Sequence, residues 1–174
     1  MSGERDADPD AGLVARCRRG DRAAFNALLA RHRGHVVNLA YQMLGAADEA
    51  QDAAQDAFVK AFTQLKQFRG DAPFATWLKR IAVNECLTRL ARRRAAADLT
   101  DDLPAPRGAM DEALALRAAI GSLSPPLRAA LVLRELHGTS YEDIARILGI
   151  PLGTVRSRLA AARERLRAIL GEEE

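Results

Sequence analysis

The sequence predicts an all-α fold: two small helical domains joined by a flexible linker, the C-terminal one a helix-turn-helix domain. Three observations carry this. Apolar residues recur at helical spacing along the chain, and strand-type alternation persists nowhere. Composition changes abruptly over residues 95–112, AAADLTDDLPAPRGAMDE, where two prolines, a glycine and five acids come with almost no large apolar residue; that is linker composition. Residues 141–159, YEDIARILGIPLGTVRSRL, read as two short helices around a tight turn. The expected units are a domain over 12–94, an acidic linker over 95–110 and a second domain over 111–170.

Each element has a local reason. A first helix is expected from about residue 11 to 19, broken at Gly20 and Asp21. A second starts after Asp21, a suitable N-cap, with Phe25, Leu28 and Leu29 on one face. Gly34 either interrupts it or opens a new segment through Val36, Val37, Ala40 and Leu44, and Gly45 marks a stop. Beyond it Ala54, Phe58, Ala61, Phe62, Leu65 and Phe68 form one apolar stripe, while Asp48, Asp52 and Asp56 recur on another face. Residues 69–73 form a loop, and a long helix over about 74–94 buries Leu78, Ile81 and Leu90. After the linker, Leu114, Leu116, Ile120 and Leu123 restart the helical period. Ser124, Pro125 and Pro126 open a further helix carrying Leu127, Leu131, Leu133 and Leu136, which Gly138 ends.

Composition excludes several classes. Lys and Arg total 26 against 23 acids, a net charge of +3, too small an excess to establish a polyanion partner by itself. Only Lys60, Lys66 and Lys79 are lysines. Arginine suits phosphate and guanine edges, and high-GC coding also favours it. Cys17 and Cys86 lie far apart and form no CxxC, and His32 and His35 have no cysteine nearby, so neither a disulfide framework nor a metal site is expected. No phosphate loop or Ser/His/Asp set is present, so neither an enzyme nor a cofactor or small-molecule substrate is expected. The N-terminus, MSGERDADPDAG, lacks an apolar signal-peptide core, and no apolar run approaches the ~20 residues that span a bilayer. A soluble, cytoplasmic protein is expected.

The C-terminal hairpin carries chemistry. Ser140 can cap the helix beginning at Tyr141, with Asp143 three residues on as in a capping box. Ile144, Ala145 and Leu148 face inward, and Ala145 is small enough to admit the next helix. Gly149 fits a turn that needs positive φ, Ile150 plugs the corner, and Pro151 pre-sets the second helix. Val155, Leu159, Ala162 and Leu166 anchor that helix. Thr154, Arg156, Ser157 and Arg158 then face outward near its N-terminal end, where this motif meets base edges and phosphates. Arg163, Arg165 and Arg167 suit backbone contacts or solvation.

Residues 69–94 carry seven cations against two acids, a net +5 in 26 residues. Phe74 and Trp77 stand at the helix start beside a loop, with Arg80 and Asn84 following. Aromatics interleaved with Arg and Asn suit a single nucleic-acid strand, stacking on bases and reading their edges; at least one of the two aromatics also fits a core position. The acid row repels DNA, so it faces a protein or water, or serves the helix dipole.

Residues 52–94, DAAQDAFVKAFTQLKQFRGDAPFATWLKRIAVNECLTRLARRR, closely resemble region 2 of bacterial sigma factors of the extracytoplasmic-function (ECF) class. The segment from about 111 to 170, with SLSPPLRAALVLRELHGTSYEDIARILGIPLGTVRSRL, resembles their region 4. The resemblance covers roughly residues 12–170 and implies a non-enzymatic initiation factor. Its partners are core RNA polymerase, through the clamp of the largest subunit and the flap of the second-largest, promoter DNA, and an anti-sigma factor that in relatives is often membrane-anchored. By the same resemblance, Asp52, Gln55 and Asp56 fall on polymerase-contacting positions. Phe74, Trp77, Arg80, Asn84 and Thr88 fall where relatives melt and hold the −10 strand, with Asn84 reading a flipped base. Thr154, Arg156, Ser157 and Arg158 fall on the −35-reading helix. Where some relatives carry an aromatic and a basic residue after the R-S-R run, this chain has Ala160 and Ala161, leaving more of the readout to those four. A linker of about 16 residues spans ~50 Å when extended, or roughly 15 base steps. The rival reading is a self-sufficient homodimeric helix-turn-helix regulator, which leaves the acid row and the Trp–Arg–Asn helix without a role.

Overall fold

The computed structural model describes residues 7–97 and 111–171. The predicted linker therefore lies outside the described residues from position 98 to 110. Eight α-helices are described: α1 (Ala11–Arg18), α2 (Arg22–Leu44), α3 (Ala47–Gln64), α4 (Phe74–Ala97), α5 (Glu112–Ser122), α6 (Pro125–Leu131), α7 (Tyr141–Leu148) and α8 (Leu152–Gly171).

The N-terminal half is built on α2, against which α1, α3 and α4 all pack. Asp21 caps α2 as expected, its Oδ1 accepting the Ala24 N–H at 3.2 Å. The helix then runs unbroken through Gly34, because Leu28, Val36, Leu39 and Ala40 hold both sides of that glycine in one buried face. Gly45, at φ 77°, ends it in the left-handed conformation. Helix α3 buries Ala50, Ala53, Ala54, Ala57 and Ala61, small side chains that let its backbone approach α2 and α4 closely. A 3-10 turn, Leu65–Gln67, leads to the loop before α4, and α4 continues to Ala97, three residues beyond the expected end.

In the C-terminal half α5, α6 and α7 pack around α8. Pro125 opens α6 as predicted, but the helix widens at Val132–Leu136 into a π-helical turn, with the His137 N–H reaching the Val132 carbonyl at 3.2 Å. Of the leucines that carry the helical period here, Leu114, Leu116 and Leu136 are exposed, and Ile147, not singled out by that reading, is fully buried. The halves meet along one seam, α4 against α6 and α7, and α2 against α5 and the π-helical turn.

Candidate nucleic-acid and partner-protein interfaces

Local chemistry sets the C-terminal hairpin. Ser140 Oγ accepts the Asp143 N–H at 3.1 Å, starting α7. Gly149, at φ 64°, ends it, and the Ile150 N–H returns to the Ala145 carbonyl at 3.1 Å. The Pro151 carbonyl accepts the Thr154 and Val155 N–H groups at 3.0 and 3.2 Å, which starts α8. With Val155, Leu159 and Ala162 sealed inside, Arg156 and Ser157 are exposed and Thr154 and Arg158 half-buried on the outer side. Arg163 differs: Glu135 holds its guanidinium at 2.6 Å.

On α4, Trp77, Arg80, Asn84 and Thr88 follow at spacings that share one face. Arg80, Asn84 and Thr88 are exposed and Trp77 is half-buried. Phe74 departs from the expectation of a strand contact. It is 1% exposed, a core residue whose ring lies 5.7 Å from Trp77 and 6.0 Å from Phe68. Phe68 also stands 5.1 Å from Trp77, so two rings brace the indole from behind. Beside Trp77 a cavity of about 350 Å³ opens, lined by Phe68, Arg69, Asp71, Thr76, Trp77 and Arg80, with Arg146 of α7 on its rim.

The strongly basic end of α4 is divided between two duties. Arg89 turns to α3 and binds Asp56 and Glu85, while Arg93 binds Glu49 and the Leu44 carbonyl. Glu85 is buried and also takes Lys60. Burial alone would raise its carboxyl, but hydrogen bonds from Lys60 and Arg89 outweigh that and hold it below the usual carboxylate range. Arg92 and Arg94 are exposed.

The predicted partner-binding set is likewise split. Asp52 and Gln55 border a groove of about 870 Å³ between α2 and α3, whereas Asp56 points to Arg89. The groove floor is apolar, with Phe25, Leu29, Val37, Phe58, Val59 and Phe62, and Arg22 and Arg33 also border it. Val59 and Phe62 are 58% and 50% exposed, although the helical period aligns Phe62 in one apolar stripe with the buried Phe58, Ala61 and Leu65. The edge of Phe62 against Phe25, 4.8 Å between centroids, joins the two helices across the groove. Sequence reasoning missed the groove; the available signals were Phe25 and Leu29 on α2 and, beside the acid row on α3, a β-branched residue and an aromatic three apart, Val59 and Phe62.

Comparison with known proteins bears on this arrangement. Residues 28–96 match the family model for sigma-70 region 2, and residues 113–166 match that for sigma-70 region 4. The chain is 42% identical over 176 residues to the RNA polymerase sigma-H factor of Pseudomonas aeruginosa, covering 90% of this chain and 91% of that one. It is 43% identical over 173 residues to the ECF RNA polymerase sigma factor SigM of Mycobacterium tuberculosis, covering 97% of this chain and 88% of that one. The chain belongs to the ECF class of sigma factors. Sigma factors are non-enzymatic subunits that bind core RNA polymerase and promoter DNA and direct promoter-specific initiation. Among solved structures, CnrH in complex with the cytosolic domain of CnrY matches with a TM-score of 0.75 at 32% identity, over 95% of this chain and 99% of that one. The sigma factor RpoE of Bartonella quintana, in complex with the anti-sigma factor NepR, matches at 0.69 and 28%, over 86% and 98%.

The two halves of this sigma factor are tied by polar contacts. Arg128 of α6, 8% exposed, donates to the carbonyls of Met43, Leu123 and Gly121, and burial pushes its guanidinium below its ordinary pKa. His137 Nε2 lies 2.7 Å from Gln42 Oε1, and Arg117 stacks over Tyr41 at 5.6 Å. Lys79 is half-buried at the seam; burial lowers its ammonium pKa, with Asp143 opposing. Among the described residues no group of three or more His, Cys, Asp or Glu could hold a metal ion, and no helix is long and apolar enough to cross a membrane.

Proposed function

We propose that the groove between α2 and α3 receives the clamp of core RNA polymerase, with Asp52 and Gln55 as polar contacts around an apolar floor. Helix α4 then holds the non-template −10 strand through Trp77, Arg80, Asn84 and Thr88, with a flipped base entering the cavity beside Trp77. Helix α8 reads the −35 element with Thr154, Arg156, Ser157 and Arg158, and the C-terminal half meets the polymerase flap. One observation carries this reading. Arg89 and Arg93 are neutralised by acids of α3, whereas Arg80, Asn84 and Thr88 stand exposed on α4. Helix α4 thus joins a partner-binding helix on one side to a strand-reading face on the other.

The solved relatives bound to anti-sigma factors support a further partner of that kind here, acting in the cytoplasm where core polymerase and promoter DNA reside. No observation favours the homodimeric regulator.

The test is a pair of variants in the full chain. Replacing Asp52 and Gln55 with alanine should weaken core polymerase binding at least about tenfold, since polar contacts at a desolvated rim are worth about 1–2 kcal/mol each. Replacing Asn84 with alanine should reduce promoter opening and leave −35 binding intact. Unchanged polymerase affinity would move the clamp site elsewhere, and an equal loss of opening and −35 binding would remove Asn84 from strand reading.

A further inference from the structure

The loop at 69–73 and the first turn of α4 form the wall of the cavity beside Trp77. Pro73, which precedes α4, has no side-chain oxygen with which to cap the helix. The cap comes from 66 residues away, where Asp8 Oδ2 accepts the Phe74 N–H at 2.8 Å. Asp8 is itself fixed, because its Oδ1 accepts the Asp10 N–H at 3.0 Å and its carbonyl accepts the Ala11 N–H at 3.0 Å. Asp10, the residue before α1, is in turn buried against α2, held by Arg31 and by His32 Nε2 at 2.7 Å.

The other end of the loop has a matching support. The Arg18 guanidinium, at the end of α1, lies over the Phe68 ring at 5.5 Å. Phe68 immediately precedes the loop and braces Trp77. One short N-terminal segment therefore grips both ends of the loop, through a carboxylate at Phe74 and a cation at Phe68.

We propose that Asp8 and Arg18 are positioning residues for strand capture, holding the 69–73 loop and Trp77 in the geometry that admits a single-stranded base. This rests on the strand-reading role proposed above for α4. A carboxylate at the α4 N-terminus keeps the first turn wound, and the Arg18–Phe68 pair keeps the ring behind Trp77 from turning out. Loop and indole are thereby set before DNA arrives, which reduces the ordering needed on binding.

The experiment uses full-length protein assembled with core polymerase. The probe is a fluorescent single-stranded oligonucleotide carrying the −10 non-template strand of a promoter that this holoenzyme transcribes. Asp8→Ala and Arg18→Leu should each weaken oligonucleotide binding by about three- to tenfold, the range that loss of a helix cap produces. Core polymerase affinity and far-ultraviolet helicity should stay unchanged. Emission from Trp77, the single tryptophan, should shift in both variants. Asp8→Asn keeps one of the two oxygen acceptors that serve Asp10 and Phe74 and should bind more tightly than Asp8→Ala but less tightly than the parent. Parent-like oligonucleotide binding by Asp8→Ala, alongside a clear loss in Asn84→Ala, would overturn the positioning role and leave strand reading intact. Parent-like binding by Asn84→Ala as well would remove the strand-reading face and the positioning role with it. Equal losses of polymerase and oligonucleotide binding, tracking lost helicity, would reduce Asp8 to a general stabiliser and also overturn the proposal.

Discussion

Arg128 Nη1 donates to the Met43 carbonyl at 2.8 Å across 85 residues of sequence, joining the C-terminal half to the end of α2. Among the described residues no carboxylate pairs with this guanidinium; carbonyl dipoles from both halves solvate it instead. The closed seam therefore holds a desolvated cation on carbonyl oxygens alone, and opening returns it to water. The proposed function sets α4 and α8 on two separate promoter elements, and any separation of the halves to reach them breaks this contact.

Arg128→Ala should therefore favour the open arrangement. A hydrogen bond from a charged donor contributes about 1.5–3 kcal/mol, and of the three only the one to Met43 crosses the seam, so losing it should move the closed–open balance by about an order of magnitude. Small-angle scattering of the free protein should show a larger radius of gyration in the variant. An unchanged radius would mean that the apolar contacts of α4 with α7 suffice.

The seam should also respond to pH through His137. Burial, with Lys79 and His35 nearby, pushes its pKa down to about 4 from an ordinary 6.5. The closed form thus favours neutral imidazole. Its contribution is complete above pH 6.5 and is lost as pH falls from there through about 4. Scattering or Trp77 emission should report opening as the solution is acidified across that window. His137→Gln should flatten this response, and a response that persists in the variant would assign it to another group.

Neither cysteine should act as a fast thiol sensor. Burial pushes the Cys86 thiol up to about 12, with Glu85 adding to it. Burial and then Asp21 raise Cys17 as well, though it is only half-buried. A thiol reagent at neutral pH should label Cys17 slowly and Cys86 only on unfolding. Rapid labelling of both in the native protein would contradict the packing of α4.

The cations at the end of α4 should separate into two groups. Arg92→Ala and Arg94→Ala should each lower the salt dependence of holoenzyme binding to DNA by about one unit of slope. Arg89→Ala and Arg93→Ala should leave that slope unchanged and lower folding stability, Arg89→Ala the more because it also unpairs the buried Glu85, and Arg93→Ala by no more than about 1 kcal/mol. A slope change in Arg89→Ala would place that side chain on DNA.

What the sequence discloses is mostly what local chemistry decides. The caps at Asp21 and Ser140, the left-handed Gly45 and Gly149, and the Val155–Leu159–Ala162 seam each follow from a few neighbouring residues. Long-range pairing was not legible in the same way. The +5 charge of 69–94 reads as one basic patch, yet Arg89 and Arg93 meet acids 33 and 44 residues away. Periodicity puts Phe62 in the same apolar stripe as Phe58 because it counts apolar residues without knowing how wide a face the neighbouring helices cover. Helix α3 carries a wider apolar arc than α2 and α4 can hide, and the uncovered part becomes the groove. The Asp8 cap on α4 was invisible for a simpler reason: an acidic N-terminus has the composition of a tail, and only the folded chain brings it to Phe74.

The most direct measurement is multi-round transcription by purified bacterial core polymerase on a library of random promoters, with and without this protein. The account predicts protein-dependent transcripts whose templates share two spaced motifs, lost when Asp52 and Gln55 are replaced. No protein-dependent transcripts, together with tight palindromic DNA binding by the protein alone, would contradict it.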